Sequence, residues 1–207
     1  MIKIVSKTDL EKCINKVRNA GDKDRSNDKY NQASVLVLFI NDEIKKNSSI
    51  LMIKRRDNLR QHAGQIAFPG GKKEKDDLNL EETAKRETEE EINVSSEEYN
   101  IVGSFPKFFT GTGYVVTPFL GIIKSNSNWK KVLKPNLSEV EQIFFPPINY
   151  LLSPKYHLRE KPPINSSMSM TWTINYNNKN IWGLTARVLV TISAGLGLRE
   201  FPPCDDI

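Results

Sequence analysis

The run Arg86-Glu87-Thr88-Glu89-Glu90-Glu91 concentrates four glutamates in one short segment, and two of them face the wrong way for solubility. At roughly 100° per residue on a helix, with Leu80 as zero, Ala84 falls near ~40°, Glu87 near ~−20° and Glu91 near ~20°. Both carboxylates share the inward stripe with Leu80 and Ala84, while Glu82, Lys85 and Glu89 occupy the far, solvated side. Like charges facing a core repel, and must be neutralised by protons, by cations of the protein or by a metal. Glu90 lies one step from both, so three carboxylates share about one turn. Hard divalent cations take such oxygen ligands, and Mg²⁺ usually keeps several waters and shares its shell with substrate phosphates. A plain surface helix laced with pairs such as Lys85–Glu89 and Glu82–Arg86 accounts for the outer face. It leaves Glu87 and Glu91 beside Ala84 unexplained.

The elements that must position these groups precede them. Gln65-Ile66-Ala67-Phe68-Pro69-Gly70-Gly71 reads as a short strand broken by a Pro-Gly-Gly turn. A loop from Lys72 to Leu78 follows, and Asn79 with Glu82 forms a capping-box-like helix start just before Leu80. Strand, glycine turn, loop and acidic helix together resemble the Nudix hydrolases. Their signature is a Gly, five residues, Glu, seven residues, then Arg-Glu-(apolar)-x-Glu-Glu-x-Gly-(apolar). Arg86 to Val94 fits this core, with three departures. Asp77 stands where the first Glu would be, with one extra residue before Arg86. Thr88 takes the first apolar place. Asn93 replaces the last Gly, a mild change because Asn tolerates the left-handed conformation of a helix end.

The approach to the glycines narrows the resemblance. Leu51 to Gly71 is similar to the extended motif of the coenzyme A pyrophosphatase branch, Leu-Leu-Thr-x-Arg-(Ser/Ala)-x₃-Arg-x₃-Gly-x₃-Phe-Pro-Gly-Gly. Arg55, Arg60, Gly64, Phe68, Pro69, Gly70 and Gly71 match in place, whereas Met52, Ile53 and Arg56 depart from it. Thr112 to Pro118 and Ile181 to Ala186 are weaker likenesses to the same branch. The resemblance spans about Ser34 to Leu189. It implies an α/β Nudix fold, a mixed β-sheet sandwiched between α-helices. It also implies Mg²⁺ or Mn²⁺, with Glu87 and Glu91 as first ligands and Glu90 as a third. The implied substrate is a small molecule, coenzyme A or acyl-coenzyme A, cleaved to 3′,5′-ADP and 4′-phosphopantetheine or its acyl form.

Further roles rest on position. Arg86 lies toward Glu90 and is expected to orient it by a charge-assisted bond. Gly70 and Gly71 allow backbone to approach the helix and its metals closely. The general base comes either from the box, where Glu90 serves, or from a distant acid, for which Glu139 and Glu141 ahead of a strand are the choices. His62 has three competing roles: base, phosphate contact, or a hydrogen-bonded support of its loop. Lys54, Arg55, Arg56 and Arg60 form a basic approach that can receive phosphates, although Arg56 reads better as a solvated strand end.

Composition sets the outer limits. The 207 residues fit one Nudix domain at 33–198, preceded by an N-terminal helix and polar linker at 1–32 and followed by a tail at 199–207. A net charge of +5 suits an anionic substrate but equally suits solubility. No aromatic-interleaved basic patch points to nucleic acid, and no apolar run reaches membrane-spanning length. Cys13 and Cys204 form no CxxC, which favours a reducing compartment. The expected location is cytoplasmic, with mitochondria open and no peroxisomal Ser-Lys-Leu type ending. The expected state is a monomer or homodimer.

Along the chain, Ser6 with Asp9 starts a helix with Leu10, Ile14 and Val17 on one stripe, ending at Gly21. Ala33–Ile40 reads as a strand buried on both faces, and Ser49–Lys54 as the next. Tyr114–Ile123 and Glu141–Phe145 are further strands. Met168–Tyr176 and Lys179–Trp182 form a hairpin around Asn177-Asn178, and Leu184–Ala194 is the last helix. Three functions stay open: coenzyme A hydrolysis, Nudix hydrolysis of another diphosphate (ADP-ribose, a dinucleotide, a capped RNA), or a non-catalytic binding module. Intact Glu87, Glu90 and Glu91 argue against the third.

Overall fold

The computed structural model describes residues 4–20, 30–59, 61–163 and 170–202. In chain order the elements are α1 (Lys7–Ala20), β1 (Asn31–Asp42), β2 (Asn47–Ile50), β3 (Met52–Arg55), β4 (Ile66–Ala67), β5 (Gly70–Lys72) and α2 (Leu80–Ile92). There follow β6 (Tyr99–Ser104), β7 (Phe108–Phe109), β8 (Tyr114–Ile123), α3 (Trp129–Val132), β9 (Val140–Phe144) and α4 (Ile148–Leu151). The chain ends in β10 (Leu158–Glu160), β11 (Thr171–Tyr176), β12 (Lys179–Trp182) and α5 (Gly183–Gly195).

The central sheet runs β2-β1-β8-β6, with β5 also on β1 and β7 also on β8. It is mixed, because β1 lies parallel to β8 while its other pairings are antiparallel. The continuous apolar run in β1 is explained by burial on both faces. Val37 and Phe39 enter one core with α1 and α5, while Leu36, Leu38 and Ile40 enter a second core with Ala84 and Ile92 of α2. Helices therefore cover both faces, as expected of this fold.

α1 starts as anticipated, with Ser6 and Asp9 exchanging hydrogen bonds at its first turn. Its stripe of Leu10, Cys13, Ile14 and Val17 is buried in the same core as the sheet, each large aliphatic adding about 1.5–3 kcal/mol. Gly195 of α5 has no space for a β-carbon against Cys13, which lets these helices meet closely. The polar segment after α1 lies mainly outside the described residues, but Asn31 and Gln32 already pair in β1.

Several boundaries differ from expectation. Ser49–Lys54 is two strands, not one. β2 pairs with β1, whereas β3 passes to a separate sheet of order β4-β3-β9. The hydrophobic pattern cannot reveal this switch, because Ile50, Leu51, Met52 and Ile53 are all buried. Gln65–Gly71 likewise splits into β4 and β5 around Phe68-Pro69. β6 lacks a strong apolar alternation and is found only through its pairing with β8. In the β11–β12 hairpin, Asn177 and Asn178 both adopt positive φ, 47° and 61°, as a tight primed turn requires. Met168 and Ser169, the expected start of that hairpin, lie outside the described residues.

Candidate active site

The start of α2 uses only half of the expected capping box. The Asn79 side chain accepts from the N–H groups of Glu81 and Glu82, but Glu82 Oε1 is bonded to Lys85 instead of reaching back. Lys85 pairs with Glu81 and Glu82 rather than with Glu89, the favoured order with acid N-terminal to base. Arg86 does not pair with Glu82 as anticipated, but with Asp77, Glu87 and Glu90. The polar Thr88 in an apolar position is fully buried and satisfied, its hydroxyl donating to the Ala84 carbonyl at 2.7 Å. Asn93 ends the helix at φ 58° with its N–H on the Glu89 carbonyl, as the Gly-to-Asn exchange allows.

Arg86 is the hub of the outer half of the site. Its Nε and Nη2 hold both carboxylate oxygens of buried Asp77 at 2.9 and 3.0 Å. Its Nη1 reaches Glu87 Oε1 and Glu90 Oε2, each at 3.0 Å. Asp77 also accepts from the Glu74 N–H and the Thr83 hydroxyl. These bonds, led by Arg86, hold its carboxyl well below the usual range. Arg86 does orient Glu90, but its tightest grip is on Asp77. Asp77 thus anchors the arginine that places the box carboxylates, a role that linear spacing does not disclose.

The inner half is built around Glu91, which is 1% exposed. Its Oε1 accepts from Arg55 Nη1 at 2.8 Å and its Oε2 from the Gly70 N–H at 3.0 Å. Burial outweighs both donors and pushes this carboxyl up to about 8, with Glu87 and Glu139 adding to the rise. Glu87, half-buried, is also raised, again chiefly by desolvation and against the pull of Arg86. A β-carbon on Gly71 would overlap the Glu87 carboxylate, and one on Gly70, at φ 153°, would strike the β1 backbone at Ser34 and Val35. The two glycines do different work: Gly70 fits the turn to β1, and Gly71 makes room for Glu87.

Glu139 reaches the site through the far end of α2. The Lys134 and Asn136 N–H groups bond the Ile92 and Glu91 carbonyls, carbonyls that a helix end otherwise leaves unpaired. The docked loop brings Glu139 Oε2 to 3.9 Å from Arg55 Nη2. Glu141 is drawn away, both of its oxygens 2.8 Å from Lys54 Nζ. His62 is exposed, at φ 56°, with Nδ1 2.9 Å from Gln65 Oε1, the contact expected of a loop support. Arg56 donates to the Leu137 carbonyl. Arg60 lies outside the described residues.

Glu87, Glu91, Glu139 and Arg55 are thus brought together, with Glu90 at the exposed rim. Among the described residues no three acidic side chains converge on one point. Glu87, Glu90 and Glu91 share one turn of α2, with Glu90 drawn outward by Arg86 and Glu91 inward by Arg55. The charges are balanced by protein cations. The donor set nevertheless fits a hard divalent cation, since all the groups are carboxyl oxygens and the two inner ones are desolvated, so a bound cation would favour their ionised form.

The fold and this site define a Nudix protein. Residues 30–165 match the NUDIX domain family model, and the chain belongs to the Nudix hydrolases, a family that generally uses divalent cations. It is 35% identical over 161 residues to an uncharacterized Nudix hydrolase, NudL, of Yersinia pestis (strain Pestoides F), covering 76% of each chain. The NudL of Yersinia pseudotuberculosis (serotype O:1b) matches to the same extent. Among solved structures, a MutT/nudix family protein from Enterococcus faecalis shares the fold, with a TM-score of 0.50 and 14% identity. That match covers 92% of this chain and 74% of the other.

Proposed function

We propose that this chain hydrolyses the diphosphate linkage of coenzyme A or its derivatives, giving 3′,5′-ADP and 4′-phosphopantetheine or acyl-phosphopantetheine, with Mg²⁺ or Mn²⁺. The observation that carries the hydrolytic reading is the desolvated pair Glu87 and Glu91 beside Glu139 and the Gly70-Gly71 turn. The choice of coenzyme A rests on the likeness of Leu51–Gly71 to the extended motif of that branch.

Glu87 and Glu91, with Glu90 at the rim, are the residues that would hold the cation. When bound, a divalent cation supplies charge neutralisation to the diphosphate oxygens and acidifies a water. Arg86 fixes Glu87 and Glu90 from below, so the box carboxylates arrive pre-oriented. Glu139 takes the proton of the attacking water in this reading, supported by its approach to Arg55 and by the commitment of Glu141 to Lys54. Water attacks phosphorus, the anhydride P–O bond breaks, and the leaving phosphate departs as an anion. Arg55 and Arg60 are the phosphate contacts of this reading, with Arg55 already turned toward the carboxylates.

The test is a panel of coenzyme A, an acyl-coenzyme A, ADP-ribose, a dinucleotide and a capped RNA, each with Mg²⁺ or Mn²⁺ and product identification by chromatography. Faster turnover of ADP-ribose than of coenzyme A would sink the substrate assignment. Turnover of none of them would leave the binding-module reading in its place.

A further inference from the structure

Glu139 is carried by a turn that apolar packing does not hold. Leu137 is 63% exposed and Ser138 is exposed as well, so hydrogen bonds set where the turn lies. On one side the chain before it is tied to α2, through the Ile92 and Glu91 carbonyls. Within it, the Asn136 side chain accepts from the Ser138 N–H at 3.1 Å and from the Ser138 hydroxyl at 2.7 Å. The Asn136 carbonyl accepts from the Glu139 and Val140 N–H groups at 3.0 and 2.8 Å. On the other side the turn meets Arg56, the residue after β3.

A β-bulge makes that meeting possible. The β3–β9 ladder pairs Ile53 with Ile143 and Lys54 with Gln142, then skips Glu141, so that Arg55 pairs with Val140. In an unbroken register Arg56 would stand opposite Val140. With Glu141 skipped it stands opposite Glu139, and its N–H donates to the Glu139 carbonyl at 2.9 Å. Bulges re-aim side chains in this way. The Arg56 guanidinium then reaches further along the turn, Nη1 donating to the Leu137 carbonyl at 2.6 Å. Backbone and side chain of one residue therefore grip both neighbours of Ser138. The guanidinium has no carboxylate partner among the described residues, so its charge-assisted bond goes to that carbonyl.

We propose that Arg56 is a positioning residue for Glu139: its guanidinium holds the turn 137–139 against the end of β3 and so keeps the Glu139 carboxylate at Arg55 and the α2 carboxylates. The assignment rests on the reading of Glu139 as proton acceptor above. It gives a task to a residue that reads from sequence as a solvated strand end, and at which the chain departs from the branch motif. Arg56 acts through Glu139 and not on the substrate. In Arg56→Ala the bulge and the backbone bond to Glu139 remain, but the Leu137 carbonyl loses its charged donor and the turn gains freedom. A base that is held loosely costs rate more than binding.

Steady-state kinetics with Mg²⁺, on whichever diphosphate of the panel wild type turns over fastest, tests the assignment. Arg56→Ala should lower kcat by roughly tenfold or more while KM changes by less than about twofold. Arg56→Lys, which keeps a cationic donor, should recover most of the loss. In a Glu139→Gln background Arg56→Ala should cost nothing further, because two residues acting as one unit are not additive. Wild-type kcat in Arg56→Ala, or an equal loss in both backgrounds, overturns the proposal. A rise in KM with kcat held also overturns it, and would make Arg56 a phosphate contact. Hydrogen exchange read by mass spectrometry on the metal-free full chain needs no turnover. Exchange at the Glu139 and Val140 amides should quicken in Arg56→Ala and stay near wild type in Arg56→Lys; unchanged exchange in Arg56→Ala overturns the proposal. The parent reading fails separately, as full kcat in Glu139→Gln or as absent turnover by wild type, with exchange still reporting whether Arg56 holds the turn.

Discussion

The Arg55 guanidinium lies 2.8 Å from a Glu91 carboxylate oxygen, although the two residues belong to different layers and sit 36 positions apart. The same arginine has Nη2 3.9 Å from Glu139, and its buried Nε finds no partner among the described residues. Arg55 therefore ties β3, α2 and the β9 approach into one charge cluster.

Removing it leaves Glu91 buried without its cation. At pH 9, where Glu91 is ionised, Arg55→Ala should destabilise the metal-free protein by about 3 kcal/mol, the usual cost of orphaning a buried charge, and by less at pH 6, where the carboxyl holds its proton. Urea denaturation in the presence of a chelator measures this, and a loss below about 0.5 kcal/mol would mean that the pair contributes no more than a surface one.

The raised carboxyl of Glu91 gives a pH dependence with a definite sign. In the folded state it titrates near 8, against an ordinary value of 4.5. The folded protein thus retains a proton that the unfolded chain gives up, and stability falls as pH rises through that window. With metal absent, this group contributes a decline of up to about 1.4 kcal/mol per pH unit, levelling above pH 8. Melting curves from pH 5 to pH 9 should show a shallower decline in Glu91→Gln. The slope is the readout, because loss of the Arg55 pair shifts the whole curve.

Asp77 acts in the opposite direction. Its carboxyl is lowered, so its stabilisation is present above the ordinary value of 3.8 and is lost as pH falls through the lowered one. Asp77→Asn should cost about 2–3 kcal/mol at pH 7 and progressively less in strong acid. It should also slow turnover, because Arg86 would no longer be fixed against Glu87 and Glu90. Full activity in a destabilised Asp77→Asn protein would show that Arg86 needs no anchor.

The glycines separate packing from chemistry. Gly71→Ala displaces the Glu87 carboxylate while the backbone conformation stays accessible to Ala, so turnover should drop at least roughly 100-fold with the melting temperature little changed. Gly70→Ala forces a β-carbon into the β1 backbone and should impair folding itself. Expression, circular dichroism and activity of the two variants tell these outcomes apart.

For the proton acceptor, Glu139→Gln should lower kcat by roughly 10²- to 10⁴-fold, while Glu141→Gln stays within about threefold of wild type, its oxygens being committed to Lys54. Equal effects of the two substitutions would remove Glu139 from the mechanism.

Much of this architecture was readable from local pattern. The helical phase put Glu87 and Glu91 on the face of Ala84, the Pro-Gly-Gly turn marked the close approach, and the two-sided apolar run announced β1 as central. Helical and strand periodicities are properties of neighbouring residues, so sequence order alone determines them. What required tertiary structure was every relation between distant segments. The β2–β3 switch depends on which strand each half pairs with, and an unbroken apolar run looks the same either way. Asp77 became the anchor of Arg86 only when the loop folded back onto the helix. Glu139 became distinguishable from Glu141 only when the α3–β9 loop capped α2 and Lys54 claimed one of them. Sequence thus determined that Glu87 and Glu91 of α2 face inward, but not that Asp77 is buried. Only the three-dimensional packing decided that Arg55 and Arg86 share out their charges, since that choice turns on distances between layers that no spacing along the chain encodes.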